Sequence, residues 1–230
     1  MDRRSHVAVV HTSFVLLDVL NRQLDRYLPD VKRTHIVEHS ILQDVLDAGR
    51  VTADVTRRML GYFALAEASG ADVILNACSS VGETVDIARA FIRVPIVKID
   101  EAMVAEAIRS GPRIGVVATL STTLDPTCRL IEREAEKSGT KIKLTRVLCE
   151  GAFEALTSGA AQRHDQLVTE KLVDLSPKVD VIVLAQASMA HLVDALPKGA
   201  VRAPILSSPE RAVRHVKSVL EEVVAKNRRG

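Results

Sequence analysis

The chain has 230 residues, 47% hydrophobic and 26% charged, with a formal net charge of +2, a makeup that suits one or two α/β domains. Basic residues cluster only at the ends (Arg3-Arg4 and Lys226 to Arg229) and aromatics are 3% with no tryptophan, so nucleic acid is not an expected partner. No apolar run approaches the ~20 residues of a membrane span, no signal peptide is visible, and Cys78, Cys128 and Cys149 form neither a disulfide framework nor a zinc pattern, so a reducing cytoplasm is the expected compartment.

Val7 to Val10 reads as a buried strand ending at His11, Thr12 and Ser13, followed at helical period by Phe14 to Leu28. Pro29-Asp30 breaks that helix, and Thr34 to Glu38 reads as a second strand. Ile41 to Leu46 is weakly helical, and Thr52 to Ser69 is a long amphipathic helix closed by Gly70. Asp72 to Ala77 is an apolar strand running into the turn Cys78-Ser79-Ser80 and a helix that reaches Phe91. Val94 to Ile99 is a strand and Asp100 to Arg109 a helix, ended by Ser110-Gly111-Pro112. The pattern then restarts. Arg113 to Thr119 is a strand, Leu120 to Thr123 its polar turn, and Asp125-Pro126 opens a helix to about Lys137. Lys141 to Leu148 is a strand, Phe153 begins a helical region, and His164 to Leu175 is an amphipathic helix. Val179 to Leu184 is a buried strand ending at Ala185-Gln186-Ala187-Ser188, with a helix after it. Ala203 to Leu206 is the last strand and Pro209 to Lys226 the closing helix.

Strands alternating with helices predict parallel sheets covered on both faces, an α/β fold. The halves also match: His6 to Ser13 lies against Arg113 to Leu120, Ala71 to Cys78 against Val179 to Gln186, and Pro95 against Pro204, at offsets of 107, 108 and 109. Three matches in order at nearly constant spacing predict two pseudo-symmetric copies of one unit. The expected boundaries are 1–100 plus 205–230 for the domain carrying Cys78, and 101–204 for the domain carrying Gln186. A pseudo-two-fold would bring the strand ends of both to one cleft.

Four polar turns would face that cleft: Thr12-Ser13, Asn76 with Cys78-Ser79-Ser80, Thr119 with Thr122-Thr123, and Gln186 with Ser188. Ligands bind outside the carboxyl ends of strands in such sheets. Helix N-termini and hydroxyls suit a small carboxylate or dicarboxylate, and a helix N-terminus stabilises a thiolate over a thiol. Cys78 is therefore a candidate nucleophile or carbon-acid base. A small buried cysteine without chemistry and hydroxyls that merely cap helices are the alternatives. No glycine fingerprint for a dinucleotide and no metal-ligand spacing is present, so neither cofactor nor metal is expected.

Asn76-Ala77-Cys78-Ser79-Ser80, Lys98 to Met103, Ile114 to Thr119 with Thr122-Thr123, and Val183 to Met189 together resemble the aspartate/glutamate/hydantoin racemase superfamily over nearly the whole chain. The resemblance implies two pseudo-symmetric α/β domains and cofactor-independent isomerase chemistry at a carbon α to a carboxyl. In the family's racemases one cysteine thiolate removes the α-proton while a second thiol, from the other domain, returns one to the opposite face. Cys78 matches the first cysteine. Gln186 stands at the place of the second, and an amide cannot serve as a base. His191 and His11 are then the candidate second proton carriers. Relatives whose chemistry needs one cysteine, the maleate cis–trans isomerases and arylmalonate decarboxylases, keep a decarboxylase or lyase on the same scaffold open; a reading of another class is a non-catalytic carboxylate-binding or regulatory protein in which Cys78 merely lines the pocket. A homodimer is the default assembly.

Overall fold

The computed structural model describes residues 4–197 and 199–227; of the terminal charge runs, Arg3, Arg228 and Arg229 lie outside them. The elements alternate as β1 (His6–His11), α1 (Leu17–Tyr27), β2 (Lys32–Val37), α2 (Ser40–Ala48), α3 (Ala53–Ala68), β3 (Val73–Asn76), α4 (Gly82–Ala88), β4 (Ile96–Lys98) and α5 (Glu101–Ser110). They continue as β5 (Arg113–Ala118), α6 (Ser121–Lys137), β6 (Lys143–Leu148), α7 (Ala152–Thr157), α8 (Ala161–Leu175), β7 (Val181–Leu184), α9 (Leu192–Ala195), β8 (Ile205–Leu206) and α10 (Ser208–Asn227). Two four-stranded sheets result, ordered β2-β1-β3-β4 and β6-β5-β7-β8, and every strand pair is parallel. The fold is α/β with two similar units.

The internal repeat extends to individual hydrogen bonds. Val7 pairs with Val73 as Ile114 pairs with Val181. Asp72 Oδ2 accepts from the His6 N–H and Asp180 Oδ2 from the Arg113 N–H, both at 2.8 Å, so an aspartate just before each central strand pins the start of its neighbour. At the other end the Ala77 N–H donates to the Val10 carbonyl and the Ala185 N–H to the Val117 carbonyl, each at 2.9 Å. Within each sheet these pairs fix which residues leave neighbouring strands together.

One unit runs to Ile99 and is rejoined by the chain from Pro209; the other is Asp100 to Ser208. The sequence boundary at residue 205 falls too early: β8 pairs with β7, Ile182 opposite Ile205, so 205–208 stay with the second unit. In the first unit α3 places Val55, Met59, Phe63 and Ala66 on one buried stripe against Ala8, Val10 and Ile74. Thr52 starts that helix by accepting from the Val55 N–H at 3.2 Å. In the second unit a Cβ on Gly115 would lie 2.6 Å from Leu175 Cδ2, so a bare backbone lets α8 settle onto β5. Gly115→Ala is expected to cost about 1–3 kcal/mol by overpacking, read as a lower urea midpoint with an unchanged slope.

Among the boundaries that differ from the periodicity, three stand out. α1 begins at Leu17, leaving Phe14 and Val15 in an exposed turn. α6 begins at Ser121 rather than at Asp125-Pro126, because the Leu120 carbonyl already accepts from the N–H groups of Thr123 (3.2 Å) and Leu124 (3.0 Å). Pro126 sits inside that helix and forgoes only the bond to the Thr122 carbonyl. The helix expected after Ser188 is a 3₁₀ turn followed by the four-residue α9.

Candidate active site

In each sheet the strand order reverses direction next to the central strand, between β1 and β3 and between β5 and β7, the places where such folds bind ligands. Cys78 leaves β3 in extended backbone (φ −144°, ψ 117°), and Ser79–Val81 then form a 3₁₀ turn. Asn76 is fully buried and its Nδ2 donates to the Cys78 carbonyl at 2.9 Å, so it shapes the turn. Ser79 and Ser80 are buried as well. Burial pushes the Cys78 thiol above the ordinary range. Opposing it, the Thr12 hydroxyl, the N–H groups of Ser80 and Val81, and the Ser80 hydroxyl favour the charged sulfur. The expectation that the turn alone would leave a lowered thiol is thus corrected: the donors are in place, but desolvation outweighs them. Ser13 follows Thr12, partly exposed.

Gln186 repeats this geometry. It leaves β7 extended (φ −116°, ψ 127°), ahead of the 3₁₀ turn Ala187–Met189. Thr119, the repeat equivalent of Thr12, donates to Gln186 Oε1 from its N–H at 2.5 Å and its hydroxyl at 3.0 Å. Ser188 stands where Ser80 stands in the first unit. The same Thr–X–Ser constellation is therefore built twice, around a sulfur and around an amide. The amide's oxygen is committed to Thr119. Thr122 and Thr123 lie buried in the first turn of α6, and Thr122 Oγ1 has no hydrogen-bond partner among the described residues. The other thiols are core residues: Cys128 and Cys149 are almost fully buried and burial pushes each up to about 11.

Both candidate histidines are held by other side chains. His11 Nε2 lies 2.9 Å from His35 Nδ1. Burial, with the His35 ring beside it, lowers His11 from 6.5 to about 4, so it is neutral near pH 7. His191 has Nδ1 3.0 Å from the Ser188 carbonyl and Nε2 2.9 Å from Asp165 Oδ1. His11 has a consequence for stability. Below pH 6.5 the unfolded chain takes up a proton there that the folded chain refuses until about pH 4, so stability falls as pH drops through that window. The loss is expected to be on the order of a few kcal/mol, seen as a falling urea midpoint, with most of the slope removed in His11→Gln.

Two further features escape motif reading. Lys98, at the end of β4 opposite Asn76, is buried, and its Nζ donates to Asp86 of α4 at 2.7 Å. The only signal in the sequence is a lysine inside an apolar strand. His164, Asp165 and His191 cluster although 26 positions separate the last two. No helix of the described residues is long and apolar enough to cross a membrane.

Two parallel α/β units of matching topology, one carrying a hydrogen-bonded cysteine at its switch point, define a repeat-built α/β protein of the kind that binds small ligands at its strand ends. The Asp/Glu/Hydantoin racemase profile matches residues 7–216, and the chain belongs to that family, an isomerase family acting on small amino acids and related compounds. No curated protein sequence matches the chain. Similar solved structures include the allantoin racemase from Klebsiella pneumoniae (18% identity, TM-score 0.69, 95% of this chain and 88% of that one). Glutamate racemase from Francisella tularensis subsp. tularensis SCHU S4, in complex with D-glutamate, superposes at TM-score 0.74 with 15% identity over 96% of this chain and 82% of that one. Picrophilus torridus aspartate racemase gives 0.69 with 11% identity over 94% of each.

Proposed function

We propose that the chain is a cofactor-independent isomerase acting at the carbon next to the carboxylate of a small amino acid or dicarboxylic acid, with Cys78 as thiolate base or nucleophile. The observation that carries this reading is the position of Cys78, at the switch point of its sheet and ahead of a 3₁₀ turn, where Thr12, Ser80 and Val81 favour its thiolate. In the base role, Sγ takes the α-proton and the C–H electron pair moves into the carboxylate, giving an enediolate; reprotonation of the same carbon by Sγ restores the substrate, whereas a proton delivered by water to the opposite face gives the inverted isomer. In the nucleophile role, Sγ adds to a double bond beside a carboxylate, the new single bond rotates, and loss of Sγ restores the alkene in the other geometry.

The Gln186 turn is read as a binding half rather than a proton carrier. Thr122 Oγ1, Thr119, Thr123 and the positive end of α6 suit a carboxylate. Thr12, Ser13, Asn76, Ser79 and Ser80 belong to the thiol half, and Gln186 Nε2 with Ser188 completes the other. One observation favours a second reading, a single-cysteine decarboxylase or lyase: the second thiol position holds an amide whose Oε1 is already bonded to Thr119.

The test is proton NMR in D₂O with aspartate, glutamate, hydantoins, maleate and aryl- or alkylmalonates, each beside Cys78→Ala. Deuterium wash-in with inversion, or isomerisation of maleate, is the result that establishes an isomerase; wash-in with full retention would show one-cysteine proton exchange without net isomerisation, and loss of CO₂ would move the assignment to the lyase reading. Silence across the panel, with Cys78 slow toward iodoacetamide at high pH, would leave carboxylate binding without catalysis.

A further inference from the structure

We propose that His164, Asp165 and His191 form a binding site for one divalent transition-metal ion of zinc character. This goes beyond the isomerase reading and does not depend on it. Asp165 Oδ1 lies 2.8 Å from His164 Nδ1 and 2.9 Å from His191 Nε2, and one ligand atom from each residue falls within 4.8 Å of the others. His164 and Asp165 start α8, whereas His191 follows the 3₁₀ turn after Gln186, so the fold and not the sequence assembles the group.

The hydrogen bonds dictate where the lone pairs point. The Ser188 carbonyl can only accept, so His191 Nδ1, 3.0 Å away, carries the hydrogen. In the neutral ring that leaves the lone pair on Nε2, facing a carboxylate oxygen at 2.9 Å. Two acceptors in that position require a cation between them, either a second proton or a metal. The third group is fixed in place, because His164 is fully buried and its Nδ1 makes its one polar contact, to Asp165, among the described residues.

Two imidazoles and a carboxylate are a donor set for a borderline-soft divalent ion, with three protein ligands and one position left for water. The half-exposed His191 and the partly exposed Asp165 give that water access. The Ser188 carbonyl that holds the His191 ring is the usual outer-shell device for orienting a ligating imidazole. Bound metal would replace the two hydrogen bonds to Asp165 at ligand distances of about 2.0–2.2 Å, reached by small rotations of the two exposed side chains. It would thereby staple the start of α8 to the segment that follows the Gln186 turn.

The experiment uses tag-free, full-length protein stripped with a chelator, titrated with Zn²⁺ by calorimetry and with Co²⁺ by visible absorption. The expected result is one Zn²⁺ per chain, and cobalt d–d bands without a thiolate charge-transfer band. His191→Ala and Asp165→Asn, both on partly exposed side chains and checked for folding by circular dichroism, should each weaken binding by about tenfold or more. Cys78→Ser and His35→Ala should bind as the parent does. No zinc uptake, with NMR showing a doubly protonated His191 ring, would assign the cation to a proton and overturn the proposal. So would binding unmoved by His191→Ala and Asp165→Asn, or binding lost in Cys78→Ser or His35→Ala.

Discussion

Cys78→Ala is expected to lower deuterium exchange, or whichever panel reaction the parent catalyses, by about 10³-fold, within the range found when a proton-transfer group is removed. Cys128→Ala should leave the rate constant per folded molecule unchanged, because that thiol is buried in the core of the second unit, where burial pushes it up to about 11. The pH dependence follows from the balance at Sγ. Burial disfavours the thiolate and raises the thiol, while Thr12, Ser80 and Val81 favour the thiolate without fully offsetting the desolvation. The reactive form is therefore gained as pH rises and lost as pH falls, and in the free enzyme the gain continues above the ordinary thiol range. Initial rates of iodoacetamide alkylation from pH 6 upward read this directly. Thr12→Val removes one donor to the charged form and is expected to slow alkylation at a fixed pH by roughly tenfold, on the scale of a hydrogen bond to an ion. An alkylation rate already flat at neutral pH would contradict the dominance of burial, and an unchanged rate in Thr12→Val would remove Thr12 from the site.

Much of the architecture was legible because it is written in short-range patterns. Val7 to Val10, Val73 to Leu75, Ile114 to Val117 and Val181 to Leu184 are the four central strands, and their apolar runs announce burial on both faces. The repeat could be read from their spacing, and with it the equivalence of Cys78 and Gln186. What stayed hidden depends on contacts between distant residues. Nothing local reveals that Leu120 caps α6, because the capping groups are backbone carbonyls and the visible signal, Asp125-Pro126, lies one turn inside. The strand Ile205–Leu206 is two residues long and belongs to its unit only through Ile182 and Val183. The balance of burial against hydrogen bonding at Cys78 also needs the fold, since a strand–turn–helix pattern shows the donors but not the desolvation. Ion pairing of Lys98 with Asp86 and the meeting of His191 with Asp165 are likewise products of packing.

Gln186→Cys is expected to raise the ratio of stereochemical inversion to deuterium exchange at least tenfold on any chiral acid that the parent exchanges with retention. Residue 186 already has the backbone conformation of Cys78, the same 3₁₀ turn after it, Thr119 in the place of Thr12 and Ser188 in the place of Ser80. A thiol there would inherit a hydroxyl donor of the kind that Cys78 receives from Thr12. Unlike the amide, it could both hold and release a proton. The substitution also has a cost: the Thr119 N–H and hydroxyl lose the Oε1 acceptor, about 1–3 kcal/mol for a buried group left unpaired. A lower urea midpoint should therefore accompany the gain, which separates a rebuilt second base from a general loosening of the site. Chiral chromatography alongside NMR wash-in gives the ratio. If the variant folds, binds the acid and still exchanges with full retention, the Gln186 turn does not address the reacting carbon, and the division into a thiol half and a binding half must be redrawn around Cys78 alone.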